Sequence, residues 1–209
     1  EAEKDDEIRQ ILERRFKPRV ENPVFALNIS PLDDKKLLAL QQAGLRIMPL
    51  AQNSPYLEGS LENADSLDKT QLELLLQASE QLVRLDLGNT GLTDEMTGIL
   101  AGLPHLTHLS LDRNPVSDAT LAKLQDLQYL EYLNLYQTQV SDEGLTLLAP
   151  LPQLRRLFLW QTQVTEKGIE ALKQTKPQLR IDAGITSDRL FSSGPLPPPS
   201  TQAANQFFK

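Results

Sequence analysis

Leucine recurs through the middle of this chain at a fixed interval. Between about Leu82 and Asp182 one phrase is written four times, LVRLDLGNTGLTDEM, LTHLSLDRNPVSDAT, LEYLNLYQTQVSDEG and LRRLFLWQTQVTEKG. Its first leucines fall at Leu82, Leu106, Leu130 and Leu154, a step of 24 residues, and a shortened fifth copy, QLRIDAG, puts Leu179 and Ile181 where the pattern resumes. Within each copy the alternation predicts a short strand, with Leu85 and Leu87 pointing into a core and the residues between them pointing out. Thr90, Asn114, Thr138 and Thr162 then recur in step. The chain turns off the sheet there, and a side chain that both donates and accepts can serve the backbone groups the turn exposes. A hydroxyl followed by an acid (Thr93 and Asp94, Ser117 and Asp118, Ser141 and Asp142, Thr165 and Glu166) predicts a helix N-cap with negative charge on the first turn. The helices carry Leu100, Leu124, Leu148 and Leu172 in register. One copy cannot hide these leucines, but stacked copies can, so the pattern predicts a right-handed α/β solenoid. Short parallel strands form its concave face and helices its convex face.

The flanking segments are divided by the same reasoning. Residues 1–23 place Ile8, Ile11, Leu12 and Phe16 at helical spacing before Pro18, which predicts an amphipathic helix and a linker. The solenoid spans 24–185, with 24–81 as divergent repeats or an N-terminal cap and 82–185 as the regular repeats. In the cap, VFALNI predicts a strand over Val24–Ile29. Ser30, Pro31 and Asp33 spell an N-cap, a first-turn proline and an acid for a helix that ends at Gly44. GLRIMPLAQ predicts a second strand, Tyr56–Leu61 a third, and Thr70–Ala78 a helix. Residues 186–209 carry prolines at 195, 197, 198 and 199 and no periodicity, which predicts an extended linker or tail.

Stacking aligns the outward strand positions into columns. The third positions are Arg84, His108, Tyr132 and Arg156, the fifth Asp86, Ser110, Asn134 and Phe158, and the seventh Gly88, Asp112, Tyr136 and Trp160. With strands about 4.8 Å apart, Tyr132, Tyr136, Phe158 and Trp160 form one aromatic patch flanked by Arg156 and Asp112. Tyr, Trp and Arg are enriched among interface anchors, so this patch predicts a protein-binding surface, with His108 and Asp112 at its margin. Cross-strand stacking for stability is the competing explanation, and a sugar ring is a second ligand the same aromatics could hold.

Composition narrows the chemistry. A net charge of −7 and a pI near 4.9 weigh against nucleic acid, which requires a basic patch. With no cysteine there is no CxxCH haem attachment site, disulfide or thiolate metal site in this stretch. No apolar run reaches the length of a membrane span, and the opening residues predict a fragment or a processed chain. His105 and His108 do not converge on a metal, and no nucleophile, base and acid share a spacing that argues for catalysis. No catalytic residue and no cofactor is assigned to the chain itself.

The 24-residue period falls in the range of leucine-rich repeats, and VSDEGL and VTEKGI after YQTQV and WQTQV resemble the bacterial repeats labelled ribonuclease-inhibitor-like. The order AGLRIMPLAQNSPYL, a helix, then QLVRLDLGNTGLTDEM resembles the C-terminal repeats of bacterial membrane-anchored c-type cytochrome proteins, over roughly Leu37 to Gly168. That resemblance implies a periplasmic or otherwise extracytoplasmic module, tethered through a membrane-anchored parent, with haem c on a separate upstream module. The expected role is protein docking on the concave face, with carbohydrate binding or a passive spacer as alternatives.

Overall fold

The computed structural model describes residues 22–61 and 67–184. The predicted helix over 1–17 and the proline-rich segment 186–209 lie outside the described residues. Among those described, seven strands form one open sheet in sequential order: β1 (Leu45–Pro49), β2 (Leu57–Leu61), β3 (Leu82–Asp86), β4 (His108–Ser110), β5 (Tyr132–Asn134), β6 (Arg156–Phe158) and β7 (Arg180–Asp182). From β2 onward every pairing is parallel. The second half of each coil is helical: α1 (Asp34–Gln42), α2 (Lys69–Leu75), a 3-10 segment (Met96–Gly102), α3 (Asp118–Lys123), α4 (Asp142–Thr146) and α5 (Glu166–Thr175). The leucines of the repeat lie between the two layers. Leu85, Leu109, Leu133, Leu157 and Ile181 stand opposite one another on successive strands. Leu100, Leu124 and Leu148 close the core from the helical side with no exposed surface.

The N-terminal cap departs from the expected rhythm. The segment expected to form a strand over Val24–Ile29 instead contains a 3-10 turn, Pro23–Ala26, opened by Asn22, whose side chain accepts from the Val24 backbone N–H. Proline cannot donate to a ladder, and Val24 is driven wholly into the core. Asn22 lies far along the solenoid, donating 2.7 Å to the Tyr129 carbonyl, while Ser30 accepts from Gln81 at 2.9 Å. This stretch therefore straps the flank of the repeats. The following helix starts later than expected, capped by Asp33 and not Ser30, because the Asp33 carboxylate reaches the Lys35 and Lys36 amides at 3.0 and 3.4 Å. β1 pairs antiparallel with β2. Only residues 50–56 join them, too few for the crossover a parallel pair needs, so the cap ends in a hairpin and not in a drifted repeat.

The hydroxyl and acid pairs work between repeats more than within them. Asp94 accepts from the Ser117 amide at 2.9 Å and its hydroxyl at 2.6 Å, Asp118 from Ser141 at 2.8 and 2.6 Å, and Asp142 from Thr165 at 2.8 and 2.6 Å. Ser141 and Thr165 stand at N-cap positions but their side chains do not cap their own helices.

Burial alone would raise the Asp94 pKa, but hydrogen bonds from Ser117 and Thr120 and the charge of Lys123 outweigh it and hold the carboxyl below the usual range. The Thr165 hydroxyl and amide do the same for Asp142. A carboxylate with a depressed folded pKa contributes stability above its unfolded value of about 3.9, lost as the pH falls through the folded value. The double variant Asp94→Asn, Asp142→Asn should therefore melt lower than the parent at pH 7 and lose less between about pH 5 and pH 2.5. Parallel curves of Tm against pH would count against the clamps.

The turn after each strand adds a feature the sequence does not announce. Asn89, Arg113, Gln137 and Gln161 all have positive φ, between 54° and 57°. Left-handed backbone costs a non-glycine residue of order 1 kcal/mol. Part of the return is visible in three bonds to the next coil: Asn89, Arg113 and Gln137 donate their N–H groups to the carbonyls of Asp112, Tyr136 and Trp160 at 2.8 to 2.9 Å.

Candidate functional site

Strand register sets the outward columns. Glu58, Arg84, His108, Tyr132, Arg156 and Arg180 form one, and Ser60, Asp86, Ser110, Asn134, Phe158 and Asp182 the next. The predicted columns thus extend one coil further in each direction. Short strands, packed closer than helices can be, curl the sheet side inward.

Two aromatic ridges rise from this face. Tyr136 and Trp160 stack with ring centres 5.4 Å apart and planes 21° from parallel. Tyr132 lies between His108, stacked at 5.5 Å, and Phe158, tilted at 5.1 Å. All five rings are half-buried, each covering its neighbour while leaving an edge to solvent. Arg156 is half-buried beside Tyr132, whose phenol is pushed up to about 12 by burial first and by the Asp112 and Asp86 carboxylates next, with Arg156 opposing. The proton on that hydroxyl is therefore fixed at any ordinary pH.

Asp112 does not stand open beside the aromatics. It is 8% exposed and is held by the Ser110 hydroxyl at 2.6 Å, the Asn134 amide at 3.2 Å and the Arg113 guanidinium at 2.9 Å. Ser110 and Asn134 bond each other at 2.9 Å and complete a polar cluster on the N-terminal half of the face. Both were visible in the fifth column, but only contact distances reveal that they engage Asp112. The face is thus polar and acidic toward Asp86 and Asp112, and aromatic toward Phe158 and Trp160. Among the described residues no group of three or more His, Cys, Asp or Glu could hold a metal, and no helix is long and apolar enough to cross a membrane. His105 lies apart, a ring nitrogen 2.7 Å from the Glu80 carbonyl and its edge toward Tyr129.

Glycine brackets the seventh column. A Cβ at Gly88 would come within 2.9 Å of the Asp112 carboxyl carbon, and one at Gly184 within 2.7 Å of the Trp160 Cγ while overlapping Cδ1 and Nε1. Gly184 also has a φ of +64°. The chain therefore leaves the last strand directly against the indole. Sequence reasoning missed Gly184 because it lies where the phrase has already broken down.

Stacked 24-residue coils, sequential parallel strands and a leucine core define a leucine-rich-repeat solenoid. The sequence profile of the family described as Leucine Rich repeat matches residues 102–124 and 126–149. No curated protein sequence matches the chain. Among solved structures the chain is similar to internalin C2 of Listeria monocytogenes, at 27% identity over 57% of this chain and 50% of that one, with a TM-score of 0.44. Internalin inlF of the same organism is 28% identical over 61% of this chain and 35% of its own, with a TM-score of 0.46. The ectodomain of the receptor kinase SOBIR1 from Arabidopsis thaliana is 18% identical over 74% of this chain and 94% of its own, with a TM-score of 0.43. The chain spans half the length of the internalin C2 structure and about a third of inlF.

Proposed function

We propose that this solenoid is a non-enzymatic docking module that holds a protein partner on its concave face through Tyr132, Tyr136, Arg156, Phe158 and Trp160. The observation that carries the reading is the gathering of four large aromatic side chains from two coils into paired ridges on the outward side of the sheet. A fold with its apolar needs met inside leaves such rings outside only where cross-strand stacking or a partner rewards them. The lone Trp of the chain stands among them. We place the module outside the cytoplasm, as the repeat region of a bacterial membrane-anchored parent that carries haem c upstream, on the strength of the AGLRIMPLAQNSPYL stretch and the phrase that follows it.

The double variant Tyr136→Ala, Trp160→Ala tests the reading. The two half-buried side chains lose roughly 2–3 kcal/mol of buried area together and one stacked pair worth roughly 0.5–1.5 kcal/mol beyond area, so Tm should fall by about 5–15 °C. Partner recovery from an envelope extract should drop below detection. A large fall in Tm with recovery intact would show that the rings serve packing. A sugar finds fewer free ring faces here, since Tyr136 and Trp160 cover one another and Gly184 follows Trp160 in the column. Quenching of Trp160 fluorescence by oligosaccharides would nevertheless move the assignment to a glycan.

A further inference from the structure

The apolar column of the core ends at a residue that is not fully covered. Leu109, Leu133 and Leu157 have no exposed surface, but Ile181, next in register, is only half-buried. A solenoid needs its terminal coils shielded. At the N-terminal end the β1–β2 hairpin does this, and Pro49, which cannot donate to a ladder, sits in its edge strand. Among the described residues no strand pairs with the outer edge of β7, and β7 contains neither proline nor lysine.

The backbone of that edge is already oriented. The Arg180 N–H donates to the Arg155 carbonyl at 2.9 Å, and the Asp182 carbonyl accepts from the Leu159 N–H at 2.7 Å, so both residues direct their peptide groups toward β6. Successive residues of a strand alternate, which aims the Ile181 N–H and C=O away from β6. In an antiparallel pair centred on Ile181, the two copies of that residue exchange both bonds.

The side chains match the same symmetry. Arg180 and Asp182 are exposed, and among the described residues neither forms an ion pair. One Asp182 carboxylate oxygen accepts from the Gly184 amide at 3.1 Å. Arg180 stands opposite Arg156, a like-charged cross-strand pair that costs stability. A two-fold axis at Ile181 sets Arg180 against Asp182 of the second copy, and Asp182 against its Arg180. These are the non-hydrogen-bonded positions, where Cα atoms approach to about 4.5 Å and side chains lie closest. Two like charges on β7 would repel a copy, the usual protection of an open edge. Opposite charges two residues apart attract one, and the added carboxylate offsets the repulsion between Arg156 and Arg180. The net charge of −7 opposes association weakly, because about 0.15 M salt screens charges more than roughly 8 Å apart.

We propose that a second copy of this chain pairs antiparallel with β7, joining the two sheets edge to edge through Ile181 and reciprocal Arg180–Asp182 contacts. The interface is isologous, as closed two-fold dimers require. Ile181 meets its counterpart on the core side, and both concave faces open in the same direction.

Sedimentation equilibrium of the full chain tests this. The joint is small and belongs with transient interfaces, so the weight-average mass should rise toward twice the monomer between about 10 μM and about 500 μM. Arg180→Asp alone and Asp182→Arg alone should each weaken self-association at least about tenfold, since like charges then face each other in both pairs. Both positions are exposed, where substitutions change stability little. Mixing the two variant chains should restore association, because every pair is opposite again, and the double variant Arg180→Asp, Asp182→Arg should associate like the parent. A parent that stays monomeric over this range would overturn the proposal. So would self-association that either single change leaves intact, or a mixture that fails to associate.

Discussion

Asn114→Ala should lower the unfolding free energy by about 4 kcal/mol, whereas Thr138→Ala, at the same place one coil later, should cost about 1 kcal/mol. The difference follows from how many backbone groups each side chain serves. The Asn114 carboxamide oxygen accepts from the Thr90 and Leu92 amides at 3.1 and 3.0 Å, and its nitrogen donates to the Leu87 and Leu111 carbonyls at 2.7 and 3.0 Å. It is 2% exposed, so removal strands several buried groups at once. Thr138 makes one such bond, to Leu135 at 2.7 Å. Asn114→Thr should recover only part of the loss, because a hydroxyl can reach the carbonyl three residues back but not the two amides of the preceding coil. Urea midpoints with unchanged m-values would report the ranking directly. Equal losses for Asn114→Ala and Thr138→Ala would mean that water fills the cleft and satisfies the stranded amides.

Gly144→Ala should destabilise by about 2–4 kcal/mol, although it improves intrinsic helix propensity by roughly 1 kcal/mol. The reason lies in the neighbouring coil. A Cβ at Gly144 would overlap the Asp118 Oδ1 atom, stand 2.6 Å from its carboxyl carbon and press on Leu121 at 3.1 Å. That carboxylate is the one clamped to Ser141, so the added methyl must break both bonds of the clamp. Gly168 stands in the same relation to Asp142. The double variant Asp118→Ala, Gly144→Ala separates clash from propensity. With the carboxylate gone, the Gly144→Ala step should cost little or turn favourable, a non-additivity of at least about 2 kcal/mol. Additive losses would show that helix α4 is sensitive at this site for some reason other than Asp118.

Most of the architecture was legible because one short phrase is repeated. Leu85, Leu109, Leu133 and Leu157 were expected to align, and they do, since a fixed step along the chain becomes a fixed step in space once coils stack. The outward columns of His108, Tyr132 and Arg156, and of Tyr136 and Trp160, followed from the same alternation. The cap was less legible. Val24–Ile29 alternates like a strand, but Pro23, the Asn22 cap and burial of Val24 turn it into a strap, and those forces come from coils up to 107 residues away. The sequence shows Asp94, Asp118 and Asp142 only beside their own helices, where they predict first-turn charges. Their partners lie 23 residues on and are adjacent only after stacking.

By itself, then, the sequence determined the period, the identity of the buried leucines and the residue types lining the outward face, since each follows from local alternation and a constant step. Tertiary structure alone decided that Asp112 is tied up by Ser110, Asn134 and Arg113, that Tyr136 and Trp160 cover one another, that Gly144 must lack a side chain, and that Gly184 rests against the indole of Trp160. Each of those outcomes depends on the distance between atoms of different coils. That distance is set by the packing of whole layers, and no local stretch of residues encodes it.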